Sequence, residues 1–121
     1  MARVEQLNRI LRSLRSTSPD VEASALISDD GLIIASELPQ QIDEARVAGM
    51  SAVLLSLGTR AATELERGRV EEVLIRGSDG YAVMVDAGNG SLLLVLANKT
   101  AKLGLIFLDV RRAVQEIKTA L

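Results

Sequence analysis

The side chains best able to do chemistry in this 121-residue chain are carboxylates, because it contains no His and no Cys. Two acidic pairs, Asp29-Asp30 and Glu71-Glu72, are the groups that could in principle hold a cation. A hard cation needs several converging oxygens, and neighbouring residues of a strand point to opposite faces, so a metal site is not expected at either. With His and Cys go the commonest general base, the commonest metal-binding nitrogen and the most reactive nucleophile. Ser/His/Asp and Cys/His mechanisms are excluded, and no catalytic, cofactor-binding or metal-ligating residue is assigned. Gly88-Asn89-Gly90 and Gly77-Ser78-Asp79-Gly80 carry glycines of the kind that cradle phosphate, but neither lies between a strand and a helix, where backbone amides and the helix dipole converge. Hairpin turns explain both. Tyr81 and Phe107 are the single Tyr and single Phe, so no stacking platform for bases or sugars can be assembled; both are expected in the core. Arg111-Arg112 and Glu116-Lys118 read as a solvated helical face.

What remains is a module that binds rather than reacts. Its length suits one domain, 1–121, burying roughly two-thirds of the unfolded surface, and 48% hydrophobic residues can supply that core without a disulfide or a metal. The net charge of -2, with Lys and Arg scattered and never in a run, argues against a nucleic-acid partner. The N-terminal residues lack a signal peptide's apolar stretch. The longest apolar run, Leu92 to Ala97, is far short of the roughly 20 residues of a spanning helix, so no membrane insertion is expected. Absent cysteines suit a reducing compartment, and a soluble cytoplasmic protein is expected.

Positioning elements follow from periodicity and punctuation. Val4, Leu7, Ile10, Leu11 and Leu14 fall at helical spacing and predict a helix over 2–16, ending before Ser18-Pro19. Strands over 23–28 and 32–36 are joined by Asp29-Asp30-Gly31, whose Gly accepts the positive φ of a tight turn. A long helix is predicted over 43–67, with Asp43 as N-cap and Gly68 as the stop. Strands over 70–76, 81–86 and 91–97 follow, separated by the two Gly-rich turns. Leu103, Ile106, Phe107, Val110, Val114, Ile117 and Leu121 mark a final helix, with Asn98 to Thr100 as the polar residues before it.

The order is αββαβββα, an α/β (α+β) arrangement with one antiparallel sheet between helices, the long helix on one face and the terminal pair on the other. Leu92 to Leu96 belong to a central strand, because a strand buried on both faces cannot alternate with polar residues. The charged strand at 71–76 belongs at an edge. On the long helix, Val47, Met50, Leu54, Leu57, Ala61 and Leu65 form the stripe expected to lie on the sheet. A second stripe of small residues, Ala45, Ala48, Gly49, Ala52, Ser56 and Thr63, would let another helix approach closely. With Val73 and Ile75 of the edge strand, these six are the expected homodimer interface.

The element order, the segment from Ala25 to Ser36 (ALISDDGLIIAS), the turn Gly77-Ser78-Asp79-Gly80-Tyr81, and the segment from Ala97 to Leu105 (ANKTAKLGL) resemble the Roadblock domain family of dynein light chains and bacterial regulators of Ras-like GTPases. The resemblance covers nearly the whole chain. It implies a profilin-like αβα sandwich with strand order 2-1-5-4-3, and homodimers in which long helices pack together and third strands pair across a two-fold axis. It further implies a non-enzymatic partner of a Ras-like small GTPase, acting as scaffold, GTPase-activating protein or other regulator. In the gliding-motility branch the GTPase supplies its own catalytic arginine, so no arginine finger is implied here. Exposed positions of the long helix, Arg46, Arg60, Glu64 and Arg67, are the candidates for partner contact.

Two other classes stay open at this stage. One is a dimeric scaffold of a multi-component signalling system without effect on GTP hydrolysis. The other is a small-ligand-binding sensor domain, which would need a pocket over the sheet.

Overall fold

Eight elements follow one another in the computed structural model, which describes residues 2–121: α1 (Ala2–Thr17), β1 (Val21–Ser28), β2 (Ile33–Glu37), α2 (Glu44–Glu64), β3 (Val73–Gly77), β4 (Gly80–Gly88), β5 (Ser91–Asn98) and α3 (Leu103–Ala120). The strands form one antiparallel sheet in the order β2-β1-β5-β4-β3. As its unbroken leucines require, β5 is central, and Leu92 to Val95 are all buried. β3 lies at an edge.

The sheet separates two apolar clusters. α1 and α3 cover one face, where Leu7, Leu11, Leu14, Ile106, Val110 and Ile117 pack on Leu26, Val83, Leu93 and Val95, with Tyr81 and Phe107 partly buried against them. α2 lies alone on the other face, over Ala25, Ile27, Met84, Leu92 and Leu94. Large-to-small changes in either layer remove apolar burial and leave a cavity, at about 2–5 kcal/mol each.

Most boundaries fall within two residues of the periodicity, and two differ for a physical reason. α2 stops at Glu64 rather than running to 67. Glu66 adopts φ 55, in the left-handed region, and the Arg67 and Glu66 amides donate back to the carbonyls of Ala62 (2.8 Å) and Thr63 (3.1 Å). That double bond pattern closes a helix C-terminus, and it comes before Gly68 is reached. A Glu at this position bears the steric cost that glycine avoids. Glu66→Gly is expected to stabilise the fold by about 1 kcal/mol, read as a melting temperature about 4 °C higher; an unchanged or lower value would contradict it.

β3 is the second difference. It begins at Val73, not Val70, and residues 70–72 stay outside the ladder. Val70, Glu71 and Glu72 instead border a cleft beside α3 with Phe107 and Val110.

The caps explain two of the recognisable segments. Asp43 caps α2 as expected, its carboxylate accepting from the Arg46 amide at 3.2 Å. Asn98 does not cap α3, whose N-cap is Lys102. Its side chain instead accepts from the Thr100 amide and hydroxyl (3.1 and 2.9 Å) and donates to Asp20 at 3.1 Å, tying the end of β5 to the start of β1.

Candidate protein-docking surface

The acidic pairs sit where they cannot converge. Asp29 and Asp30 lie in the β1–β2 turn, which is bonded to the β4–β5 turn through the Asp29 amide and the Gly90 carbonyl at 2.8 Å. Glu71 and Glu72 precede β3 and line the cleft beside α3. Among the described residues, no group of three or more His, Cys, Asp or Glu could hold a metal ion. The glycine segments are turns: Asn89 (φ 51) and Gly90 (φ 71) both take the positive φ of a two-residue hairpin, and Gly77 pairs with Gly80 across Ser78-Asp79.

α2 divides both of its expected stripes between the sheet and the surface. Of the residues expected on the sheet, Met50 and Leu57 are 56% and 57% exposed and Leu65 is 66% exposed, while Val47 and Leu54 are half-buried against the core. Of the small residues expected to face a partner, Ala48 is fully buried on the sheet, and Gly49 and Ala52 are half-buried. Ala48 is therefore no interface residue. The reason is space: Ile27, Met84, Leu92 and Leu94 already fill the sheet's upper surface, so the helix comes closest through Ala48 and Ser51, with Val47, Leu54 and Leu55 packing around them. A Cβ at Gly58 would lie 2.6 Å from a Val73 methyl, and one at Gly31 would lie 3.3 Å from the Gly49 Cα. The close approach that small residues permit is spent inside the chain.

The other expected interface positions lie at the surface. Ala45, Ser56 and Thr63 are exposed on α2, Val73 is half-buried beneath the helix, and Ile75 is 43% exposed. Thr63 donates its hydroxyl to the Thr59 carbonyl. Arg46, Arg60 and Glu64 are exposed on α2. Arg67 is exposed too, but it lies past the helix end, its Nε donating to the Leu65 carbonyl at 2.9 Å.

Periodicity alone did not single out Val53, which is 63% exposed. With it, Arg46, Met50, Val53, Leu57, Arg60 and Glu64 repeat at intervals of four and three residues, one strip of the helix. This 4-3-4-3-4 spacing was readable; which strip faces out was not. Next to it, β3 offers an unpaired edge with Leu74 (40%) and Ile75 (43%) exposed. An exposed apolar helical strip lies beside an open strand edge, the kind of surface that protein partners cover.

Two clefts that border the sheet among the described residues are not apolar wells. The cleft beside α3, about 390 Å³, is lined by Arg69, Glu71, Glu72, Asp86, Arg111 and Lys118 around its apolar floor, and the groove of about 740 Å³ along α2 runs past Asp29, Asp30, Arg60 and Asp86. Neither matches the mostly apolar, enclosed lining of a small-molecule site.

Comparison with known proteins agrees with this architecture. The model of the Roadblock/LC7 domain matches residues 7–97. An uncharacterised protein of Methanocaldococcus jannaschii is 37% identical over 112 residues, 93% of this chain and 96% of the relative. Among solved structures, the gliding protein MglB of Thermus thermophilus superposes with a TM-score of 0.88 at 21% identity, over 99% of this chain and 91% of that one. Profilin IA of Acanthamoeba castellanii superposes with a TM-score of 0.64 at 16% identity, over 94% and 98% of the two chains, which makes the sandwich profilin-like. The family match spans most of the sheet and all of α2: the chain belongs to the Roadblock/LC7 family.

Proposed function

We propose that residues 1–121 act as one cytoplasmic Roadblock unit, a non-enzymatic homodimer that binds a Ras-like small GTPase and regulates its nucleotide state. The observation that carries the dimer is the outward strip of α2. Its six positions are symmetric about Leu55, so two such helices crossing antiparallel on a two-fold axis would set Arg46 against Glu64 of a second copy and Val53 against Leu57 of a second copy. The apolar centre would be sealed at both ends by opposite charges, and the open edge of β3 would pair with its own copy in the same assembly. Burying what Met50, Val53 and Leu57 still expose contributes about 1–2 kcal/mol each from both copies, set against the lost freedom of association.

This pairing moves Arg46 and Glu64 from the candidate partner contacts into the dimer seam. The same register sets Arg60 against Met50 of the second copy, so Arg67, exposed past the end of α2, is the candidate left for contact with the GTPase. Light scattering across a dilution series is expected to give twice the 12.9 kDa chain mass; a persistent monomer would overturn the dimer. Binding to GTP-loaded Ras-like GTPases of the source organism, followed by turnover with and without the dimer, tests the rest. A changed rate is expected for a regulator. Binding with no rate change would reassign the protein as a scaffold, and no binding to any of them would remove the GTPase reading.

A further inference from the structure

We infer that the layer formed by α1 and α3 docks this protein on an anionic lipid surface. Residues 2–17 and 99–120 carry nine of the chain's fourteen Lys and Arg but only three of its sixteen Asp and Glu. All nine of these bases are exposed. The remaining residues hold five bases and thirteen acids, so the small net charge conceals two strongly unlike regions. Among the described residues the single ion pair is Arg112 with Asp109, at 3.8 Å, which leaves the other bases of the layer without a carboxylate partner. Arg111 and Lys118 share a cleft with Glu71, Glu72 and Asp86 and are set aside. Arg9, Arg12, Arg15, Lys99 and Lys102 remain as the basic face, with Arg112 beside Asp109; Arg3 falls on the stripe of Leu7, Ile10 and Leu14 that faces the sheet.

Two apolar residues lie within this face. Leu105 and Leu108, one turn apart on α3 between Lys102 and Arg112, are 57% and 48% exposed. The recess between the two helices is only about 90 Å³ and has Asp109 and Glu116 beside Arg112 in its lining, a poor seat for an anchoring side chain of an acidic peptide. A flat basic face with exposed leucines matches anionic headgroups above an acyl boundary. Each base near such a surface contributes about 1 kcal/mol. Docking needs no spanning segment, and no helix among the described residues is long and apolar enough to cross a membrane. α2 lies on the opposite side of the sheet and stays accessible. The inference does not require the dimer, but an assembly closed through α2 and β3 would carry both basic layers on one side and double the charge presented.

Co-sedimentation of the chain alone with vesicles of phosphatidylcholine, with and without phosphatidylglycerol at equal phosphate, tests this. Binding is expected only to the mixed vesicles, falling steeply as salt rises. Arg9→Gln with Arg12→Gln should weaken partitioning about 30-fold, whereas Arg69→Gln, outside the face, should leave it unchanged. A melting curve for each variant establishes that it is folded. Equal binding to neutral vesicles, no binding to mixed vesicles at low salt, or full binding by the double variant would overturn the proposal. So would capture by duplex DNA or polyglutamate with vesicles left unbound, which would assign the face to a macromolecular polyanion. None of these readouts involves a GTPase.

Discussion

A chain carrying Val53→Glu and Leu57→Glu is expected to run at the monomer mass at concentrations where the parent is a dimer. Both side chains are largely solvent-exposed in the single chain, at 63% and 57%, so the change should cost the isolated fold little. In the antiparallel seam it removes two apolar anchors per copy and places carboxylates in a desolvated centre. The loss is about 4 kcal/mol or more, roughly a thousandfold in dissociation constant. A companion experiment separates this geometry from a nonspecific apolar contact. Arg46→Glu alone should weaken the dimer, because it sets Glu64 of the second copy against a like charge, and Arg46→Glu with Glu64→Arg should restore it. A double variant as weak as the single one would rule out the antiparallel register while leaving α2 association possible. A double-Glu chain that still dimerises would show that α2 is not the contact at all.

Gly80→Ala is expected to have the largest effect on folding of any glycine-to-alanine change in the chain. Gly80 opens β4 with φ 155, and a Cβ there would lie 2.6 Å from the carbonyl oxygen of Ala97. That oxygen belongs to β5, the central strand, where neighbouring ladders on both sides hold the backbone in place. The clash meets backbone held from both sides, whereas the Val73 methyl over Gly58 belongs to an edge strand paired on one side only. Strain and overpacking together should cost about 3 kcal/mol, lowering the melting temperature by about 12 °C. Gly104→Ala is the matched control, since a Cβ there meets nothing within 4 Å; its melting temperature should hold or rise. Equal losses in the two variants would mean that the β3–β4 turn does not depend on the close approach at Gly80.

The elements were legible because each is decided locally. Helical spacing in α1 and α3, the glycine turns, and the Asp43 cap all act within a few residues of one another. The leucine run of β5 and the charges before β3 also ordered part of the sheet, since burial on two faces and exposure at an edge leave different compositions. The end of α2 was less accessible to that reading, because Glu66 rather than Gly68 takes the left-handed conformation, and tertiary context rather than residue preference decides which residue bears that strain.

By itself, then, the sequence determined the element order, the central and edge strands, and the absence of His and Cys chemistry. Only the tertiary structure decided which side of α2 faces out, because both sides repeat with helical period and the choice depends on the space left above Ile27, Met84, Leu92 and Leu94. The same holds for the basic face. Its charges come from two segments more than eighty residues apart in the chain, and they meet only because α1 and α3 pack on the same side of one sheet. Periodicity records which residues of an element share a side; what that side touches is a property of the neighbours.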